Sequence, residues 1–144
     1  MTPVFPSPDG DAKETVFYDG TCGLCHRSVR FLLVRDRLGI FSFAALDGRT
    51  FRDRVPAAAR AGLGDSLIVA TADGRLLGRA AGVRHVLGRL GGSWRLLAGL
   101  SRIVPIAVAD RLYDAVAARR YRLFRRPTEA CPVVPAELRS RFED

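Results

Sequence analysis

The sequence has few cysteines, no long hydrophobic run and almost no lysine. Three cysteines in 144 residues are too few for the disulfide scaffold of a small secreted domain, and they indicate redox or metal chemistry instead. The longest apolar run, Leu96–Ala109, is interrupted by Arg102 and Pro105 and falls short of the ~20 residues that a membrane span requires. Residues Met1–Glu14 lack the charged and apolar regions of a signal peptide. These absences predict a soluble, cytoplasmic protein.

The chain is strongly basic. Its formal net charge is +8 and its pI is about 10.6, which favours nucleic acid or an anionic membrane as a partner. Lys13 is the only lysine, and the preference for arginine, alanine and glycine indicates a GC-rich genome, which explains part of the charge without a partner. The segment Arg119–Arg126 interleaves arginine with aromatic residues and is a candidate contact for phosphates or anionic lipid. A solvated helix end is the commoner explanation, so a basic binding module is kept as an alternative function.

The order of secondary-structure signals predicts an α/β protein with a thioredoxin-like fold. The chain is 48% hydrophobic and long enough to bury one core. Periodicity and turn signals predict these elements in order: a strand (15–18), a helix (23–38), a strand (40–46), helix or irregular chain (47–62), a hairpin (67–77), a helix (80–90) and a helical extension (93–126). This β-α-β-α-β-β-α order combines a parallel β-α-β unit with an antiparallel hairpin. We expect residues 1–13 to be a flexible N-terminus, 14–126 a single domain including the C-terminal helices, and 127–144 a tail.

Two groups of apolar residues are predicted to be buried. The first is a stripe on the first helix at positions i, i+4, i+7 and i+8, namely Cys25, Val29, Leu32 and Leu33. The second joins the C-terminal helices to the sheet and comprises Trp94, Leu97, Leu100, Ile103 and Val104. The alternative is that these residues form an exposed patch for a protein partner. Ser93 is predicted to cap the first of these C-terminal helices.

Cys22 and Cys25 form a CxxC motif at the predicted start of the first helix. The unpaired N–H groups and positive dipole end of a helix N-terminus favour an anion. The pKa of a CxxC thiol at such a position falls from about 8.5 to roughly 3.5–7.5, so Cys22 is predicted to be the nucleophile. Cys25 begins the apolar stripe, so we expect it to be shielded and to resolve the mixed disulfide that Cys22 forms with a substrate.

Asp19 and His26 are candidates for adjusting this chemistry. His26 lies one helical turn after Cys22, where a protonated imidazole would stabilise the thiolate. The alternative is that His26 is a solvated helix residue. Asp19, three residues before Cys22, is placed to accept a proton from one of the cysteines, although a fixed carboxylate there disfavours the thiolate. The alternative is that Asp19 and Gly20 only form a turn. Thiol–disulfide exchange by these two cysteines requires no metal or organic cofactor.

The segment Tyr18–Cys25, which reads Tyr-Asp-Gly-Thr-Cys-Gly-Leu-Cys, resembles the motif of the DCC family of predicted thiol–disulfide oxidoreductases. Further similarity lies in 27–33, 41–46, the hairpin, 103–105, 110–113 and 120–122, so the resemblance runs from about residue 15 to 126. It implies a thioredoxin-like fold and protein-disulfide oxidoreductase activity on protein or small-molecule disulfides or thiols, with Asp19, Cys22 and Cys25 as functional residues. At 64–67 the chain reads Gly-Asp-Ser-Leu where typical thioredoxins place a cis-proline, so substrate docking is expected to differ.

Other roles for the cysteines stay open. The order Cys-x-x-Cys-His matches c-type haem attachment, but the only methionine is Met1 and no signal peptide is predicted, which disfavours it. A structural zinc site needs four ligands, and the candidates beyond the CxxC pair are His26, His85 and Cys131. His85 is more simply a packed or surface histidine. Cys131, which stands before a proline in the tail, is interpreted as inert, with a third redox partner or a site of mixed-disulfide formation as the alternatives.

Overall fold

A mixed sheet carries helices on both of its faces. The computed structural model describes residues 13–20, 23–63, 67–123 and 141–143. Within them the strands are β1 (Glu14–Tyr18), β2 (Phe41–Ala45), β3 (Ile68–Ala70), β4 (Leu76–Gly78) and β5 (Phe142–Glu143). The helices are α1 (Gly23–Arg35), α2 (Arg49–Arg54), α3 (Ala57–Leu63), α4 (Arg79–Leu90), α5 (Gly92–Ser101) and α6 (Ile106–Leu123). The strands lie side by side in the order β4-β3-β1-β2-β5.

The strand pairing confirms the predicted fold class. β1 and β2 are parallel and are joined by α1, as a β-α-β unit requires. β3 is antiparallel to β1, and β4 is antiparallel to β3. This mixed α/β arrangement is that of a thioredoxin-like fold, and α5 and α6 form the predicted helical extension after it.

The β3–β4 hairpin forms where the Asp-Gly pair predicts it. Gly74 has a φ of +83°, a left-handed conformation that glycine adopts without steric cost. The Thr71 N–H donates to the Arg75 carbonyl at 2.8 Å, and the Thr71 hydroxyl also accepts the Arg75 N–H at 2.9 Å. The turn is therefore closed from both of its ends.

The two faces of the sheet bury separate apolar clusters. Successive side chains of a strand point to opposite faces, so Val16 and Tyr18 pack with α1 and α4, whereas Phe17 packs with α2 and α3. The predicted stripe of α1 is confirmed, because its members are all buried: Cys25, Val29, Leu32 and Leu33. α1 therefore presents the Cys25 side of its first turn to the core.

α1 ends at Arg35, three residues before the predicted end at Leu38. The cause is Asp36, a buried residue whose carboxylate accepts two N–H groups from the chain that leads into β2. Gly39 then turns the backbone with a φ of +66°. The helix stops where a side chain offers the backbone a better partner than another helical turn.

The C-terminal helices differ from the prediction in two respects. Most of the apolar residues expected to join them to the sheet are exposed: Leu97, Leu100, Ile103 and Val104. α5 packs against α4 and buries Ala98. Of the predicted group, Trp94 is partly buried, with its ring edge-on to Phe31 of α1 at 4.9 Å. The predicted cap is also wrong, because α5 begins at Gly92, before Ser93, and its N-cap is Gly91 with a φ of +73° and no side-chain cap bond.

β5 was not predicted, and it lies inside the segment assigned to a tail. β5 pairs in parallel with β2, opposite Phe43 and Ala44. Phe142 packs on Tyr18 and Phe43, with ring centroids 6.5 and 5.5 Å apart. Glu143 accepts a hydrogen bond from the Ser42 hydroxyl at 2.8 Å. Residues close to the C-terminus thus add an edge strand beside the parallel pair.

No helix within the described parts of the chain is long and apolar enough to cross a membrane.

Candidate functional site

The CxxC motif falls at the junction of β1 and α1. β1 ends at Tyr18, and Asp19 and Gly20 lead towards α1, whose first helical residue is Gly23. Cys25 lies in the first turn of that helix. Thr21 and Cys22 lie outside the described residues, so the position of the predicted nucleophile relative to Cys25 stays a prediction.

Cys25 is buried beneath the site. Its accessible fraction is 9%, and it belongs to the same apolar cluster as Val29 and Tyr18. This burial agrees with the shielding expected of a resolving thiol.

His26 ties the β1–α1 loop to the helix. Its Nε2 lies 2.7 Å from the Gly20 carbonyl oxygen, and because a carbonyl only accepts, the ring nitrogen donates and carries a proton. The ring also meets Tyr18 edge-on at 6.0 Å. His26 is only 9% exposed, so its interpretation as a solvated helix residue is wrong. Its influence on the pKa of Cys22 is not tested by these contacts and stays a prediction.

Asp19 lies between the end of β1 and the loop, and its side chain is half-buried. It follows Tyr18 directly, at the end of the sheet where α1 begins. That position is compatible with proton transfer at the cysteines and equally with a turn residue. Its role therefore stays a prediction.

An apolar groove opens beside the second turn of α1. Its volume is about 340 Å³, and it lies between α1 and α4. The lining residues are Arg27, Ser28, Phe31, Leu32, Leu67, Val83, Val86 and Leu87. Leu67 occupies the position just before β3, next to Gly64, Asp65 and Ser66, which lie outside the described residues. Of the stretch where thioredoxins place their proline, Leu67 is therefore the residue seen to line this groove.

Tyr113 of α6 supports the edge of this groove and is a residue that the sequence analysis did not select. Its hydroxyl accepts the Leu67 N–H at 2.8 Å. The Asp110 carboxylate, one turn earlier, accepts the Ala80 N–H at 3.3 Å near the start of α4. The signal was present, because the resemblance in the sequence already included 110–113, but a sequence does not show which backbone group such side chains contact.

His85, one of the other proposed zinc ligands, lies away from Cys25. His85 Nε2 donates to Glu14 Oε2 at 2.7 Å, and Glu14 stands at the opposite end of β1 from the motif, about 13 Å away at the rise of a strand. No group of three potential metal-binding side chains lies within the described ranges. Cys131 lies outside those ranges, as does Cys22.

The basic segment is described only in part. Arg119 and Arg122 are exposed near the end of α6, and residues 124–126 lie outside the described part of the chain. Exposed arginines at a helix C-terminus fit a solvated helix end. Contact with nucleic acid or an anionic membrane through Arg119–Arg126 stays a prediction.

A large part of the chain matches one protein family. The model for DCC1-like thiol-disulfide oxidoreductases matches residues 16–126. The chain belongs to the DCC1-like thiol-disulfide oxidoreductase family. It is 30% identical over 134 residues to the uncharacterized protein YuxK of Bacillus subtilis, covering 90% of this chain and 93% of that protein. It is 27% identical over 121 residues to a chloroplastic DCC family protein of Arabidopsis thaliana, covering 84% and 70% respectively. No solved structure matches it.

The family match confirms the resemblance found in the sequence. The DCC1-like description supports a thiol–disulfide oxidoreductase role in general terms, with thiols or disulfides as the class of substrate. Neither relative's name gives a particular substrate or partner.

Proposed function

We propose that the protein is a protein thiol–disulfide oxidoreductase in which Cys22 attacks and Cys25 resolves. The observation that carries the proposal is the burial of Cys25 in the first turn of α1, directly after β1. A helix N-terminus stabilises a thiolate through its unpaired N–H groups and its dipole. The family match adds the general class of chemistry.

The proposed cycle transfers two electrons. The Cys22 thiolate attacks one sulfur of a substrate disulfide, so that the substrate S–S bond breaks, a mixed disulfide forms and one substrate thiolate leaves. Asp19 takes the proton from Cys25, whose thiolate then attacks the Cys22 sulfur and releases the second substrate thiol. The protein ends as the Cys22–Cys25 disulfide, and a dithiol reductant returns it to the starting state. We place this cycle in the cytoplasm, whose thiol pool keeps such a pair reduced.

A redox titration with mass-spectrometric readout tests the proposal. The protein is equilibrated in defined thiol–disulfide buffers and alkylated, with Cys22→Ser, Cys25→Ser and Cys131→Ser alongside. We expect a reversible two-electron transition that is lost in the first two variants and unchanged in Cys131→Ser. A pair that never closes, or closes only after a metal is stripped, overturns the proposal and favours a zinc site.

The role of His26 is tested by two variants that separate its charge from its hydrogen bond. His26→Gln can retain an N–H donor to the Gly20 carbonyl without the charge, whereas His26→Leu loses both. If the imidazolium stabilises the thiolate, the pH dependence of Cys22 alkylation shifts upward in both variants. A shift in His26→Leu alone assigns the residue to loop positioning, and unchanged profiles remove it from the mechanism. His85→Gln, at the far end of β1, is the matched control.

Asp19→Asn tests proton transfer. If Asp19 takes the proton from Cys25, resolution of a preformed mixed disulfide should slow by about 100-fold, while the initial attack by Cys22 is not slowed. Equal rates of resolution in the variant and the parent protein would leave Asp19 as a turn residue.

A further inference from the structure

A cleft between α4 and α5 concentrates arginine side chains. It has a volume of about 770 Å³ and opens beside the edge strand β4. Its arginines are Arg75, Arg84, Arg89, Arg95 and Arg102. Clefts of this size commonly hold small molecules. α4 contributes residues 81, 84, 85, 88 and 89 to the cleft and residues 83, 86 and 87 to the apolar groove, which at 3.6 residues per turn places the two on opposite faces of the helix.

The positive charge of this cleft is only partly neutralised. Arg75 pairs with Asp73 at 2.8 Å, and Arg89 lies 3.5 Å from Glu14. Arg84 donates to two backbone carbonyls at the end of α5, which fix its guanidinium without cancelling its charge. Like charges facing one another across a cleft repel unless an anion lies between them.

Arg95 of α5 and Arg102, the residue that caps the end of α5, also line the cleft. Both are exposed, and neither has an acidic partner among the residues that the structure describes. They are seven residues apart, which places them on one face of the helix about 10 Å apart along its axis. That spacing suits an extended anion with several charged groups better than a single small ion.

Small residues keep the cleft open between these arginines. They are Ala81, Gly88, Gly91, Ala98 and Gly99. A Cβ atom at Gly99 would meet no other atom within 4 Å, so open space lies beside this residue. Among the described lining residues the single aromatic ring is that of His85, and its Nε2 is already bonded to Glu14 at 2.7 Å.

We propose that this cleft binds an oligophosphate chain, either free or as part of a nucleotide. Guanidinium groups bind phosphate oxygens in pairs through their planar array of donors, and the cleft presents several of them around an open space. The lining holds five guanidinium groups and one ring, so the phosphate chain is the part that is recognised. This proposal is independent of the thiol chemistry at Cys22 and Cys25.

Binding of inorganic tripolyphosphate, measured by calorimetry on the full chain, is the test. The variant Arg95→Gln/Arg102→Gln should weaken binding by about tenfold or more. Its matched control, Arg30→Gln/Arg37→Gln, removes the same charge from exposed positions around α1 and should change affinity by no more than about twofold. Equal losses in the two variants would show general attraction to a basic protein and overturn the proposal.

A second variant blocks the cleft without changing its charge. Gly99→Leu places a side chain in the empty space and should also weaken binding by about tenfold. Ala107→Leu, an exposed change on α6 outside the cleft, is its control. Tripolyphosphate binding that survives Gly99→Leu, or no binding even at low salt, overturns the proposal.

ATP in place of tripolyphosphate distinguishes the two sources of the phosphate chain. Similar affinities support recognition of the phosphates alone, and tighter ATP binding that is still lost in Gly99→Leu identifies a nucleotide as the ligand. A short oligonucleotide that binds where tripolyphosphate does not would contradict the proposal. A redox titration with tripolyphosphate present measures the thiol chemistry by itself. A failure of the binding proposal can then be told apart from a failure of the redox proposal.

Discussion

The ion pair between Arg141 and Asp36 ties the C-terminal strand to the domain and makes a quantitative prediction. The Asp36 side chain is 1% exposed and that of Arg141 is 14% exposed. The carboxylate also accepts the N–H groups of Ile40 and Phe41 at 3.1 and 2.9 Å. The Arg141 guanidinium donates to the Phe41 carbonyl through Nε and Nη2 at 3.0 and 2.9 Å. One side chain thus neutralises a buried charge and also bonds to a backbone carbonyl of β2.

Arg141→Met removes this cation while keeping much of the side-chain volume. Removing one partner of a buried ion pair costs about 3–5 kcal/mol, because the other charge is left without compensation. Asp36 keeps two backbone N–H groups, so we expect the lower end, about 3 kcal/mol. For a domain of this size each kcal/mol lowers the Tm by about 2–4 °C, which gives a fall of about 6–12 °C.

Urea denaturation and thermal unfolding measure this effect. Arg30→Met, an exposed change on α1, is the control and should stay within about 0.5 kcal/mol. Combining Arg141→Met with Asp36→Asn removes the unpaired charge, so the double variant should lose less than the sum of the single ones. A loss below about 1 kcal/mol in Arg141→Met, or strictly additive losses, would refute the view that this pair is a buried anchor.

Three further predictions concern the core, a helix packed closely on the sheet and an exposed carboxylate. Val29 is fully buried and Leu100 is 63% exposed, so Val29→Ala should cost about 2 kcal/mol in urea denaturation and Leu100→Ala less than about 0.5 kcal/mol. Gly82→Ala should lower the urea midpoint although alanine favours helices, because its Cβ would lie 3.0 Å from the Leu77 carbonyl oxygen. The pKa of Asp73 lies below its usual value because a threonine hydroxyl two residues earlier donates to it. The contribution of Asp73 to stability is complete above the usual pKa range of aspartate and is lost as the pH falls through the lowered pKa. An NMR titration of this carboxyl measures that pKa.

The elements that could be predicted from sequence are those specified by neighbouring residues. The Asp-Gly turn of the hairpin, the strand before the CxxC motif and the stripe led by Cys25 are each readable within about ten residues. Periodicity gives the apolar face of a helix but not what lies against it. In α1 that face meets the sheet, whereas in α5 the face with Leu97 and Leu100 remains exposed. The same signal therefore succeeded in one helix and failed in the other.

β5 could not be predicted from local signals. It contains only Phe142 and Glu143, too few residues to show a strand period. Its position depends on partners about a hundred residues earlier in the chain, including Asp36, with which Arg141 pairs, and Ser42. Strand formation here results from tertiary contacts, which a pattern within the last residues does not contain.

Distant parts of the chain converge on the candidate redox site. Phe142 packs on Tyr18, the ring of Tyr18 contacts His26, and His26 donates to the Gly20 carbonyl in the loop before the cysteines. Because aromatic contacts of this kind each contribute about 0.5–1.5 kcal/mol beyond burial, β5 supports the loop through an unbroken series of contacts. The domain predicted over 14–126 therefore omits a strand that stabilises its own candidate site, and the thiol chemistry should be measured on the complete chain.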